Sequence, residues 1–192
     1  MEDNEILGNP RDGIIELLKA RSVKFGNFTL ASGKKSDFFV DCKQSILTGI
    51  GHVWAGQLML EAVALHFKEA RAVAGVELGG CPLASSVALL SAVAPEIHSL
   101  DALYVRKTKK DHGTGNLVEG KGDMESGTPV VLLEDVATTG GSSMRAIKAL
   151  QDEGFRVLGV ITLLDRNEGA SDAFREADIP FVAILDRCDL ED

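Results

Sequence analysis

Long apolar runs are missing from this 192-residue chain. Nothing approaches the roughly 20 consecutive apolar residues that a membrane-crossing helix needs. A basic, then apolar amino-terminal stretch is missing too: Met1-Glu2-Asp3-Asn4-Glu5 is acidic, unlike a secretory signal, so a cytoplasmic location is expected. Cysteine is scarce. Cys42, Cys81 and Cys188 are odd in number and scattered, which gives neither metal-ligand spacing nor a disulfide framework, and plain thiols are expected. Positive charge is in deficit, with 20 Lys and Arg against 29 Asp and Glu and a net charge of −9. That balance argues against a general nucleic-acid surface, because phosphate backbones attract clustered cations. No internal repeat and no low-complexity linker interrupts the chain. With 45% hydrophobic residues it can bury a normal core, and one domain over residues 1–192 is expected.

Against that acidic background, one cluster of cations stands out: Arg106-Lys107-Thr108-Lys109-Lys110. The pattern around it is regular. Asn9-Pro10 reads as a helix start with proline in the first helical position, followed by the apolar stripe Ile14, Ile15, Leu17, Leu18 up to about Arg21. Residues 28–30 and 38–42 read as short strands around the turn Ser32-Gly33-Lys34-Lys35. A long helix is expected from Thr48 to about Phe67. Apolar runs at 72–76, 100–105, 130–133, 157–164 and 181–185 then read as buried strands, with helical patterns at 82–90, 143–151 and 171–177 between most of them. Such alternation predicts an α/β fold, a parallel sheet covered by helices. Ligands in these sheets sit at the carboxyl ends of the strands, so the chemistry is sought just after each apolar run.

The strongest such segment is Glu134-Asp135-Val136-Ala137-Thr138-Thr139-Gly140-Gly141-Ser142, which follows Val130-Val131-Leu132-Leu133. Glycines allow a tight turn and close approach of a ligand to the backbone. Free N–H groups at the start of the following helix, with the positive end of its dipole, make an anion site. Thr138, Thr139 and Ser142 add hydroxyl donors. The spacing is not that of a Walker loop, and no lysine follows the glycines. Two carboxylates repel a phosphate, so Glu134 and Asp135 must face another part of the ligand. Ionised carboxylates only accept hydrogen bonds and a vicinal diol donates two, so a ribose 5-phosphate satisfies both halves of the segment.

This segment resembles the phosphoribosyl diphosphate signature of the type I phosphoribosyltransferases. Three more segments are similar to those of the orotate branch of that family: Arg106-Lys107-Thr108-Lys109-Lys110-Asp111-His112-Gly113 to its mobile catalytic loop, the stretch from Phe28 to Phe39 to its hood hairpin, and Asp165-Arg166 to the end of a core strand. The resemblance implies a parallel α/β core with a small amino-terminal hood from about residues 1–45. It implies transfer of the 5-phosphoribosyl group from phosphoribosyl diphosphate to orotate, giving orotidine 5′-monophosphate and diphosphate, a step of pyrimidine (UMP) biosynthesis. Lys110, His112 and Asp135 are then catalytic. Arg106, Lys107, Lys110, His112 and the nine residues Glu134 to Ser142 bind phosphoribosyl diphosphate, and Thr138 and Arg166 bind orotate. A homodimer is implied, with Lys107 reaching the neighbouring subunit's site. So is Mg2+, a hard ion bridging diphosphate and ribose oxygens rather than held in a protein cage.

The cationic segment makes chemical sense on its own terms. Diphosphate leaves with concentrated negative charge, and preorganised cations that meet it lower the barrier. Arg106 offers a planar fork, Lys107 and Lys110 offer point charges, and His112 can hydrogen-bond the diphosphate or pass a proton. Gly113, Gly115 and Gly120 give the freedom a lid over residues 109–116 requires. Gly75-Val76-Glu77-Leu78-Gly79-Gly80-Cys81-Pro82 resembles the family's diphosphate loop, which implies a cis Glu77–Leu78 peptide. Phe38 and Phe39 are open between stacking on a pyrimidine and packing in the core. His52, His66, His98, Trp54 and Tyr104 read as structural. Some relatives carry lysine where this chain has Ala31 and Gly79. Two other readings stay open at this point: a phosphoribosyltransferase acting on a purine or uracil, and a regulator that senses phosphoribosyl diphosphate while binding nucleic acid.

Overall fold

In the computed structural model, which describes residues 8–29, 35–94, 98–108 and 116–191, the side chain of Asn9 accepts from Arg11 N and Asp12 N. Pro10 occupies the first turn, and α1 runs Pro10–Arg21. These are the helix-start signals of the sequence in place. A hairpin follows, β1 (Val23–Thr29) and β2 (Lys35–Val40), antiparallel with an irregularity between Phe25 and Phe28. Two helices come next: the short α2 (Lys43–Ile46) and the long α3 (Gly49–His66), capped by Thr48, whose side chain accepts from Gly51 N.

The rest alternates strand and helix: β3 (Ala72–Val76), α4 (Gly80–Val93), β4 (Asp101–Val105), β5 (Val118–Glu119), β6 (Pro129–Ala137), α5 (Gly141–Asp152), β7 (Arg156–Asp165), α6 (Ala170–Glu176), β8 (Phe181–Asp186) and a final 3-10 turn, Arg187–Leu190. The main sheet has the order β5-β4-β3-β6-β7-β8. Its central pairings are parallel, and the short edge strand β5 is antiparallel to β4. The expected parallel sheet is therefore present, with a two-residue antiparallel edge added to it. The Glu77–Leu78 peptide is cis, as the resemblance implied.

Side chains alternate across the sheet, as strand geometry requires. Val73, Val131, Leu133, Ile161 and Leu163 face α1, α3 and α4, where they meet Ile14, Leu18, Met59, Leu83 and Val87. Ala72, Ala74, Leu103, Val130, Leu132 and Val160 face the other way, toward Ile147 and Leu150 of α5 and Phe174 of α6. Both faces are covered, which leaves the strand ends as the accessible part of the sheet. No helix among the described residues is long and apolar enough to cross a membrane.

Candidate active site

The apolar pattern that marks β6 stops at Leu133, yet the strand runs on to Ala137. Pairing with β7 extends it, through Glu134 with Thr162, Val136 with Leu164 and Ala137 with Asp165. The two acids thus sit on the sheet's carboxyl edge, not in the following loop. Glu134 is buried, and its Oε2 accepts from Ser143 Oγ at 2.8 Å and from Ser142 Oγ at 3.3 Å. Burial pushes its pKa up to about 7, against the Ser143 hydrogen bond; the adjacent Asp135 charge raises it further, while Ser142 and the Lys107 charge oppose. Ser142 was expected to offer its hydroxyl to phosphate; here that hydroxyl turns inward to Glu134.

Asp135 is half-buried. Burial raises its pKa, and the positive charge of Lys43 works against that shift. Lys43 opens α2 and is itself paired with Asp41 at 2.6 Å. The Asp135 carboxylate lies against Gly79: a Cβ built on that glycine would fall 2.0 Å from Oδ2. The space next to Gly79 is therefore filled by the carboxylate. A lysine at this position would require Asp135 to move.

Beyond the acids the chain turns through Thr138 and Thr139 into α5. Gly140 is the N-cap, with φ +77, a left-handed conformation that glycine adopts without strain. No side chain caps the first turn of α5. The N–H groups there have no intrahelical partner and are open to an anion. The rest of the turn is pinned by Arg166 N to Ala137 O at 3.0 Å and Ala170 N to Thr138 O at 3.1 Å. This turn, uncapped at its mouth, is the segment expected from sequence to cradle a phosphate.

Arg106 and Lys107 follow β4 on the same edge. Lys107 N donates to Glu77 Oε2 at 2.9 Å, and Arg106 Nη1 lies 3.7 Å from Glu119 Oε1. Arg106 Nε is buried with no hydrogen-bond partner among the described residues. A cavity of about 100 Å3 lies between these cations and α5, with Ser142 and Arg145 on its far wall. The structure therefore brings Arg106 and Lys107 to the mouth of the glycine turn. Lys109, Lys110, His112, Gly113 and Gly115, with the lid expected over residues 109–116, lie outside the described residues apart from Asn116, as does Ala31.

Arg166 leaves the carboxyl end of β7 and is buried. One guanidinium nitrogen, Nη2, donates to Phe38 O at 3.0 Å and pairs with Glu168 at 2.7 Å. Its plane also lies over the Phe38 ring, 5.6 Å from the centroid. Phe38 is fully buried in the core, whereas Phe39 is 40% exposed, so packing accounts for the first and leaves the second open to a ligand. Tyr104, expected to pack, is half-exposed and hydrogen-bonds Ser85. His52 and His98 hydrogen-bond the carbonyls of Ile46 and Ala70, in keeping with structural roles.

Sequence reading missed Ser143 and Lys43. The first had a signal, a second serine after the glycines that falls on the inward side of α5. The second had none, since its partner is far along the chain. Among the described residues no three His, Cys, Asp or Glu side chains converge on a metal position. What the site offers a hard cation is carboxylate oxygen from Glu134 and Asp135.

The sequence matches the phosphoribosyl transferase domain over residues 56–178. It is 51% identical over 179 residues, 93% of this chain and 92% of the relative, to an orotate phosphoribosyltransferase of Sorangium cellulosum. To the orotate phosphoribosyltransferase of Thermosynechococcus vestitus it is 39% identical over 188 residues, 98% and 96% of the two chains. Among solved structures, the orotate phosphoribosyltransferase of Mycobacterium tuberculosis in complex with 5-phospho-α-D-ribosyl 1-diphosphate superposes with a TM-score of 0.75 at 31% identity. The match covers 94% of this chain and 98% of that one. The same enzyme with inorganic phosphate gives 0.77 at 33%, over 95% and 99%. The acid pair, the uncapped glycine turn and the arginine beside them are thus set in a fold whose relatives agree along nearly the whole chain, and this chain belongs to the orotate phosphoribosyltransferases of the phosphoribosyltransferase family.

Proposed function

We propose that this chain transfers the 5-phosphoribosyl group of phosphoribosyl diphosphate to orotate, forming orotidine 5′-monophosphate and releasing diphosphate in pyrimidine (UMP) biosynthesis. The observation that carries this reading is a single sheet edge that presents two carboxylates, an uncapped helix N-terminus and a buried arginine. Ribose, phosphate and an anionic base each find a complementary group there. The charged, phosphorylated substrate fits a cytoplasmic enzyme.

In this reading the 5-phosphate sits on the N–H groups of Gly141 and Ser142 at the start of α5, with Thr138 and Thr139 beside it. Glu134 and Asp135 accept from the two ribose hydroxyls, which requires both to be ionised, and stabilise positive character on the sugar as the bond to diphosphate breaks. Arg106 and Lys107, joined by Lys110 and His112, receive the charge on the departing diphosphate. Arg166 and the backbone at Thr138 hold orotate. A ring nitrogen of orotate donates its electron pair to the anomeric carbon while the diphosphate oxygen takes the pair of the broken bond, and the proton that nitrogen carried passes to the departing diphosphate or to water. Little general-base help is needed, and positioning and electrostatics dominate. The carboxylates of Glu134 and Asp135 are the hard donors that would hold Mg2+, which when bound would supply screening of the diphosphate charge.

The reading includes a homodimer in which Lys107 serves the neighbouring site, and a hood formed by about residues 1–45 over the base. Phosphorus NMR of phosphoribosyl diphosphate mixed with protein and Mg2+ tests the chemistry directly. Signals of free diphosphate and a nucleoside monophosphate should grow only after orotate is added. Conversion without orotate, or none with it, would overturn the reading.

A further inference from the structure

The ends of β7 and β8 carry the same pattern, Leu163-Leu164-Asp165-Arg166 and Ile184-Leu185-Asp186-Arg187. The two are in register, Leu164 beside Leu185 and Asp165 beside Asp186. Equivalent positions of parallel strands in register project the same way, so two arginines leave the sheet edge side by side. Both reach the same ring: Arg166 Cζ lies 5.6 Å and Arg187 Cζ 5.2 Å from the centroid of Phe38. Arg166 has a role in the proposed reaction, and Arg187 does not. Arg187 is held at its other contacts, by Asp37 at 2.9 Å and Glu191 at 2.6 Å.

We propose that Arg187 is a positioning residue of the base site: by fixing Asp37 and the Phe38 ring to the end of β8, it fixes the Phe38 carbonyl that orients Arg166. The argument is mechanical. Arg166 Nη2 donates to Phe38 O at 3.0 Å, so its guanidinium is only as well placed as Phe38. Phe38 belongs to β2, and β1 with β2 forms a separate two-stranded sheet that, among the described residues, shares no ladder with the main one. Such a hairpin is marginal on its own and depends on side-chain ties to the core. Arg166 ties the Phe38 backbone from one strand end, and Arg187 ties the preceding residue and the ring from the next.

The inference rests on Arg166 receiving the orotate carboxylate, and the test separates the two. Steady-state constants for both substrates and Tm would be measured for Arg187→Met, Arg187→Lys, Asp37→Asn, Arg166→Met and the Arg166→Met/Arg187→Met double variant. Arg187→Met and Asp37→Asn should each raise the KM of orotate about three- to tenfold, the scale of one partly exposed ion pair plus one guanidinium–ring contact, with kcat and the KM of phosphoribosyl diphosphate within about twofold of wild type. Arg187→Lys keeps the charge opposite Asp37 and should recover part of the loss. Adding Arg187→Met to Arg166→Met should change little, because the second residue acts through the first. If Arg166→Met weakens orotate and Arg187→Met does not, Arg187 has no such part although the base site stands. If Arg166→Met leaves orotate unaffected, the base-site reading falls and this inference with it. A parallel fall in Tm, kcat and both affinities for Arg187→Met would mark a general structural role and overturn the proposal. Asp37 is largely exposed, so Asp37→Asn carries the test should Arg187→Met not fold.

Discussion

Ser143 Oγ donates to Glu134 Oε2 at 2.8 Å, so the first turn of α5 holds a buried carboxylate on one side while its N-terminus stays open on the other. That carboxylate is held protonated to about pH 7 in the folded chain, against 4.5 for an unperturbed glutamate. Between these values the folded state binds more protons than the unfolded one. Folding stability is therefore fully supported below about pH 4.5 and declines as pH rises through about 7. Glu134→Gln does not titrate. Its Tm relative to wild type should rise between pH 5 and pH 8 in the ligand-free protein. A Tm difference that stays constant over that range would contradict the assignment.

Gly79→Ala places a methyl group where the Asp135 carboxylate lies, 2.0 Å from Oδ2. The carboxylate must turn away, and overpacking of this kind costs about 1–3 kcal/mol. The proposed ribose contact should suffer more than the fold. We expect kcat/KM for phosphoribosyl diphosphate to fall by at least about tenfold, as loss of roughly one hydrogen bond to a charged group implies, with a smaller effect on orotate KM. Wild-type kinetics in Gly79→Ala would show that Asp135 does not act from its present position.

Lys110→Ala should lower turnover by about 10²–10³, the scale for losing one preorganised electrostatic donor to a transition state. Stability should move by less than about 0.5 kcal/mol, the usual scale for a substitution that leaves core, caps and buried pairs alone. Single-turnover rates alongside thermal melts separate the two effects. An unchanged rate would remove Lys110 from the mechanism.

The role of Lys107 in the neighbouring site is open to a mixing experiment. Within one chain the Lys107 charge also acts on Glu134. Lys107→Ala and Asp135→Asn, each inactive alone, would be mixed under subunit exchange. In a mixed dimer one composite site collects both lesions and the other receives none. About a quarter of wild-type activity should return if sites are independent and exchange is random. No recovery, with mixed dimers demonstrated, would place Lys107 in its own chain's site or outside the chemistry.

Much of this architecture could be read along the chain. Asn9-Pro10 and Thr48 start their helices where expected, and residues 72–76 form the strand that their unbroken apolar run indicates. The glycine turn before α5 was legible because its glycines, hydroxyls and acids are contiguous. Other features depend on partners far away. β6 continues past Leu133 only because β7 pairs with it. The two residues of β5 and four of α2 are too short to carry a periodicity. The charge of Lys43 acts on Asp135, and Arg187 meets Asp37, across spans that no local pattern encodes. Tyr104 lies on β4 beside the two-residue edge strand β5, an edge position the alternating pattern did not reveal.

Base selectivity is the most direct test of the account. Protein, Mg2+ and phosphoribosyl diphosphate would be mixed separately with orotate, uracil, adenine and hypoxanthine, and diphosphate release followed. Orotate alone of the four carries a carboxylate for Arg166, and a site built to pair with a polar group of its substrate discriminates against analogues that lack it. Release with orotate at a rate far above the other three bases is the predicted result. Comparable or faster release with uracil, adenine or hypoxanthine would contradict it.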